Sequence, residues 1–355
     1  MSKFHWDPTQ DQTYTTADGN QTIKTQTIDK VAGKSFTMNA MEQTLEINLL
    51  LSQPTTVFRW GVGGSLAATN IDILQGTCRI TCQPESSSND AALYMNDEYD
   101  SKTNVSTAGT GALELIGFDE VNFSEDGQHG TTDFSCNVSA TGNSHILIKG
   151  CDIVTILSNL TIQDTASIDI YTSELQFGGG FGQEVIISGT PDTHSFYFDS
   201  SAFSNNNTGM ISSIFFKGNS ITKAISKSMA FSDNFIEENA KVFIETDYYT
   251  STKTVSLGKG TPGLSILPLN KKFVFDLDVQ SSVIYPEGMF NFLKRDGKNE
   301  GVLTMSTNSN NGFGFEQMLS RKMIYINDSP ATTSVEFDNI YSETNGNMII
   351  KLRNI

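Results

Sequence analysis

Acidic side chains offer the clearest chemistry in this chain. Asp97-Glu98-Tyr99-Asp100, and Asp119-Glu120 with Glu125-Asp126, concentrate carboxylates in two short stretches. Oxygen ligands at that density suit Ca2+, with Asp97, Asp100, Glu125 and Asp126 as the candidate ligands. The same stretches could supply the acid and base of glycoside hydrolysis, in which two carboxyls stand about 5 to 9.5 Å apart across the bond. Asp97, Glu98, Asp100, Asp119 and Glu120 are the candidates for that role. Solvated loop acids give the same pattern without any chemistry.

Other reactive types are thinly spread. Gly179-Gly180-Phe181-Gly182-Gln183-Glu184-Val185 has the shape of one calcium-binding nonapeptide unit, with Glu in place of Asp. Such sites form between adjacent repeats, so a single copy predicts a tight glycine turn before a strand instead. His5, His129, His145 and His194 lack metal-ligand spacing, which argues against zinc. Tyr94, Tyr99, Tyr248 and Tyr249 lie beside acids or threonines, where they could stack on sugar rings or be partly buried along a flank. Thr25-Gln26-Thr27 and Thr252-Lys253-Thr254 are two isolated Thr-x-Thr triplets, too few to make an array. No cofactor is expected beyond the weak Ca2+ candidates.

The elements that must position these groups read as short strands. Leu113/Leu115, Val121/Phe123, Phe134/Cys136, Ile146/Ile148, Leu160/Ile162, Ile168/Ile170, Leu175/Phe177, Val185/Ile187, Phe196/Phe198, Ile214/Phe216, Met229/Phe231 and Val242/Ile244 each place two apolar side chains on one face. Turn residues separate them, and comparable pairs return after roughly 20 to 28 residues, a period that suits three short strands per coil. One such strand cannot bury its own face, whereas stacked coils bury it against the coils above and below. The expected fold is all-β: a single-stranded parallel β-helix, or β-solenoid, with an N-terminal arm and cap and a β-rich C-terminal cap.

In that reading residues 1–30 form a polar arm, either a frayed terminus or a strand lent to a neighbouring subunit. Residues 31–64 form a cap in which Met38, Met41 and Leu45 fit helical spacing while Leu45, Ile47 and Leu49 fit strand alternation. Coils occupy 65–258, with a long loop at 84–110, and 259–355 form a C-terminal cap or small domain. Within that last part, Phe273–Val279, Val302–Met305, Met323–Ile326 and Met348–Leu352 read as strands. Met289–Lys294 and Glu316–Lys322 read as single helical turns.

Composition narrows the partners. Forty acidic against 23 basic residues give a net charge of −17, and the densest basic groups, Lys271-Lys272, Lys294-Arg295 and Arg321-Lys322, are isolated pairs. Phosphate backbones need clustered Lys and Arg, so nucleic acid is excluded as a partner. Only 18% of residues are charged, against about 25% in ordinary soluble domains, and Ser, Thr, Asn and Gly fill the difference. A polar but weakly ionic surface of this kind points to an extracellular or virion surface. The first residues lack the apolar core of a classical signal peptide, and no stretch is long enough to insert in a membrane. Cys78 and Cys82 lie four apart, about 13 Å along a strand and beyond the roughly 7 Å that a disulfide spans. All four cysteines, with Cys136 and Cys151, are expected as buried thiols, with a bridge between coils as the alternative.

The strand rhythm over residues 65 to 260 resembles the right-handed parallel β-helix proteins, the pectate-lyase-like group that includes phage tailspikes and bacterial adhesins. That resemblance implies a triangular coil, asparagine or serine ladders at its corners, and loops that build a groove on one flank. Asn122, Asn159 and Asn219 lie beside strand pairs, either as such corner residues or as ordinary turn residues. Polygalacturonase-like members carry Asn-Thr-Asp, Asp-Asp and Gly-His-Gly on successive coils. Only Gly127-Gln128-His129-Gly130 comes near, with the wrong spacing. Pectate-lyase-like members need an Arg or Lys base beside calcium, and Arg59, Arg79, Arg295, Arg321 and Arg353 fall in no such motif. The expectation is therefore a non-enzymatic structural or adhesive β-solenoid whose partner is another copy of itself, as homo-oligomer or fibre, or a surface glycan. A tailspike-like polysaccharide hydrolase or lyase using loop carboxylates is the alternative.

Overall fold

The computed structural model describes residues 3–353 except 52, 54, 64, 83–89, 96–100, 124–135, 179–183, 201–207, 211–213, 232, 252–253, 271–273, 276, 278–284, 295, 308–312 and 343–345. The protein is all-β and its strands pair mostly in parallel, a solenoid-like arrangement. It divides into two compact units, Met1–Val185 and Ile186–Ile355.

Three parallel ladders run through the first unit. The first joins Gln12–Thr15 to Phe36–Leu49, then to Ser65–Cys82, Ser101–Ile116, Cys136–Ala140 and Asn159–Ile162. A second joins Gln21–Thr25 to the later parts of the same long strands, then to His145–Leu157 and Ser167–Gly178. The third links Thr55–Val62, Asp90–Tyr94, Glu120–Asn122 and the second halves of His145–Leu157 and Ser167–Gly178.

Alternation decides which side chains go in. Along the first ladder Phe36, Ile71, Val105, Val138 and Leu160 fall in one buried row; along the third, Phe58, Leu93, Val121, Val154 and Leu175 do the same. Corners between ladders need tight backbone. Gly76 has φ +85°, and a Cβ there would lie 2.2 Å from the carbonyl oxygen of Ala40, so glycine is required. All four cysteines are free and buried.

These findings redraw the ranges read from the sequence. Residues 12–15 and 21–25, expected in an arm, pair within their own chain. The strand reading holds over Phe36–Leu49, and the helical spacing is an accident of a bend: Glu42 has φ 58°, the register shifts between Asn39 and Thr44, and Met41 is left exposed. Of the expected 84–110 loop, Asp90–Tyr94 and residues 101–110 are strand, while 84–89 and 96–100 lie outside the described residues. Lys30 is fully buried and fastens the N-terminal segment, its Nζ donating to the carbonyls of Asp7 (3.0 Å) and Gln10 (2.6 Å) while lying 4.9 Å above the Trp6 ring. Burial lowers its pKa to about 8.

The second unit has the same construction. Phe196–Asp199, Ile221–Ile225, Lys241–Glu245, Gly263–Leu267 and Val302–Ser306 form one parallel ladder. Ile214–Phe216, Asn234–Glu238, Val255–Gly260, Phe290–Phe292 and Ile324–Ile326 form another. Gly263–Leu267, Phe290–Phe292, Val302–Ser306 and Ile324–Ile326, expected in a cap, thus belong to ladders, and Phe290–Phe292 is strand where a helical turn was expected. Phe290 and Phe292 alternate inward against Val255 and Leu257, which outweighs the local helical spacing. A helix does form at Phe313–Ser320, and the last strands, Phe337–Ser342 and Asn347–Leu352, pair antiparallel and close the sheet against Val302–Ser306.

One core position breaks the apolar pattern. Asn234 stands in the buried row between Ile214 and Val255, and neither its Oδ1 nor its Nδ2 has a hydrogen-bond partner among the described residues. An orphaned buried amide costs about 1–3 kcal/mol in desolvation. Asn234→Leu should therefore raise the stability of the protein by about 1–3 kcal/mol in urea titration; a loss of stability would show that the amide is satisfied.

Candidate functional site

Rung-by-rung pairing turns outward side chains into columns. On the outer face of the first ladder, Asn70, Asn104, Asn137 and Asn159 fall in register. Their amides bond to one another: Asn104 Nδ2 donates to Asn70 Oδ1 (2.7 Å), Asn137 Nδ2 to Asn104 Oδ1 (2.8 Å) and Asn159 Nδ2 to Asn137 Oδ1 (3.0 Å). Asn70 Nδ2 continues the chain to Ser35 Oγ, and Asn159 Oδ1 closes it by accepting from the Glu184 backbone N–H. Those partners lie 34, 33 and 22 residues apart in sequence, so the ladder holds while the coils differ in length. Beside it runs a second column, Asp72, Ser106, Ser139 and Thr161, in which the Ser106 hydroxyl donates to Asp72 at 2.6 Å.

Each asparagine spends one N–H and one acceptor site along the ladder and keeps the rest for solvent or a partner. Of the corner residues expected from the sequence, Asn159 belongs to this ladder. Asn219 belongs to a shorter one in the second unit, accepting from Asn239 Nδ2, whose own Oδ1 accepts from Thr261. Asn122 instead donates to Glu120. Asn70, Asn104 and Asn137 escaped sequence reasoning, although Asn-Ile-Asp, Asn-Val-Ser, Asn-Val-Ser and Asn-Leu-Thr recur as a polar-apolar-polar triplet on four successive coils.

The expected acidic residues fare differently. Asp97, Glu98, Asp100, Glu125 and Asp126 lie outside the described residues, as do Tyr99, His129 and the glycine run 179–182. Asp119 is a structural acceptor: its carboxylate takes the backbone N–H of Ala91, its own N–H donates to Ala91 O, and its carbonyl accepts from Asp152 and Ile153. Glu120 accepts from the Tyr94 hydroxyl at 3.2 Å and from Asn122 Nδ2 at 3.1 Å on the outer face of the third ladder. Arg59 lies over the Tyr94 ring at 5.6 Å. In the same column as Glu120, beyond Ile153, stands Glu174, which accepts from Gln176. Two rungs set their backbones about 9.6 Å apart. Sequence spacing hides this pairing, because 54 positions separate residues that the coils bring into one column.

A third cluster was also invisible in sequence. His145 Nδ1 lies 2.8 Å from Ser167 Oγ on the adjacent strand, and its Nε2 lies 3.9 Å from Asp169. The ring is oriented by the serine, and the carboxylate is beyond hydrogen-bond reach, so the trio lacks the continuous relay of a nucleophilic triad. One strand away, Arg79 pairs with Glu114, its neighbour in register. No group of three metal-ligating side chains occurs among the described residues.

No protein-family model, curated protein or solved structure matches the chain.

The asparagine ladder is testable. Asn137→Ala removes two of its bonds and should lower stability by about 1–2 kcal/mol, the net value of two partly exposed hydrogen bonds. Denaturant titration measures it, and an unchanged midpoint would mean that water replaces the ladder at no cost.

Proposed function

We propose that the protein is a non-enzymatic β-helix of the right-handed parallel type that works as a structural or adhesive part, a self-assembling fibre subunit or surface spike at an extracellular or virion surface. The observation that carries this reading is the asparagine ladder with its flanking hydroxyl column. Outward polar groups are bonded to each other along the stack, which makes a stiff surface whose one charge in these two columns, Asp72, is held by the Ser106 hydroxyl. Such a surface meets another copy or a neutral glycan with little desolvation of charge. The roles of Asp119 and Glu120 support it further, since these two of the five carboxylates the alternative would use for chemistry hold strands and side chains in place.

Electron microscopy of the concentrated protein, with release of sugar products from a panel of bacterial polysaccharides measured in parallel, tests the reading. Regular assemblies without turnover are expected. Turnover that disappears in Glu120→Gln while the fold is retained would overturn the reading in favour of a polysaccharide hydrolase or lyase.

A further inference from the structure

The second unit carries an outer sheet face with a charge order that fits itself. Its strands present three outward columns. The middle column runs Tyr197, Lys223, Phe243, Ser265 and Thr304, then Ile349 and Ile340 on the antiparallel strands. On one side stand Ile221, Lys241, Gly263, Val302, Lys351 and then Asp338, which is paired with Arg353; on the other, Asp199, Ile225, Glu245 and Leu267. Phe243 is 42% exposed and Ile340 61%, unusually open for large apolar side chains on a sheet. A shallow depression lined by Lys223, Ala224, Ile225, Phe243 and Glu245 lies where Ile221–Ile225 and Lys241–Glu245 adjoin.

We propose that this face docks on the same face of a second copy, about a two-fold axis running along the ladder. Geometry selects that axis. A half-turn about it keeps the rungs level and exchanges the outer columns, so Lys241 meets Glu245 of the second copy, twice over. The same operation sets Phe243 on Phe243, Ile221 against Ile225, Ile349 on Ile349 and Ile340 on Ile340, and lays Leu267 over the space left by Gly263. An axis along the strands would instead face the lysine column with itself, a repulsive arrangement. The same half-turn brings Lys223 beside Lys223 of the second copy, and their long stems let the two ammoniums splay apart, each towards a flanking acidic column. Lys241 already donates to the Thr261 carbonyl, which holds its side chain over Gly263 and fixes where the positive charge sits. An isologous contact of this kind is self-limiting and pairs two copies side by side.

Seven strands of about five residues give a face of roughly 550 Å2, smaller than the roughly 800 Å2 per partner of a stable interface. The pair should accordingly be weak and reversible, with Kd on the order of 10–100 µM. The inference rests on the self-assembling reading and names the surface through which it begins.

Sedimentation velocity over roughly 5–500 µM, with K241E, E245K and the double exchange K241E/E245K, tests it. Each single exchange sets like charges together and should weaken association at least about tenfold; the double exchange restores the pairing and should recover wild-type affinity to within about threefold. Circular dichroism confirms that the variants fold, which the exposure of Glu245 favours. A monomer at every concentration overturns the proposal, as do single exchanges without effect or a double exchange that fails to recover. Microscopy of the same samples separates the two claims: fibres without charge-reversible pairing in sedimentation would refute this face and leave the self-assembling reading standing, whereas neither fibres nor pairing would count against both.

Discussion

Parallel pairing in register is the interaction on which everything else depends. A coil of this protein exposes one inward face per strand, and that face has no partner within its own strand. Ile148, Leu115 and Ile170 are each buried because the same position on the neighbouring rung is also apolar. Each such side chain contributes about 1.5–3 kcal/mol when fully removed from water. A slip of one residue would turn an entire row outward, so the register is fixed by the core and not by the turns. This explains how coils of 20 residues and of 34 coexist: extra residues are accommodated between strands while the rows stay aligned.

The same constraint orders the outside. Once the rows are fixed, outward positions are also stacked about 4.8 Å apart, so a residue type repeated at one strand position becomes a column. Asparagine can donate and accept along the stack at once, and the amides link rung to rung. Charged residues cannot repeat in this way without repulsion. They alternate instead, as Arg79 does with Glu114, or separate into columns of opposite sign, as on the second unit's outer face.

Strand identity was legible in the sequence because burial alternates with period two; every apolar pair named there is buried, Phe134 apart, which lies outside the described residues. Limits of the elements were less so. Residues 12–25 are poor in aliphatic side chains, and nothing local shows that Tyr14 is wholly buried and that Ile23 pairs with Ile47. Phe290–Phe292 was hidden by an apolar cluster that fits a helical turn equally well. The candidate site was least legible: Glu120 was named for its acidic neighbours, yet its companions Tyr94 and Glu174 are set by coil length, which no local pattern encodes. Asn159 was found because it adjoins a strand pair; its ladder partners required the register.

A direct test of the register is disulfide trapping between outward positions. Ser106 and Ser139 are opposite each other on adjacent rungs, whereas Ser106 and Thr161 are two rungs apart, about 9.6 Å, beyond the reach of a disulfide. Native thiols will not interfere, since burial pushes Cys78, Cys82 and Cys151 up to about 12 and Cys136 upward as well. Under mild oxidation the pair Ser106→Cys with Ser139→Cys should form a bridge within the chain, and Ser106→Cys with Thr161→Cys should remain reduced. Bridging of the second pair in preference to the first would contradict parallel, in-register stacking and the account built on it.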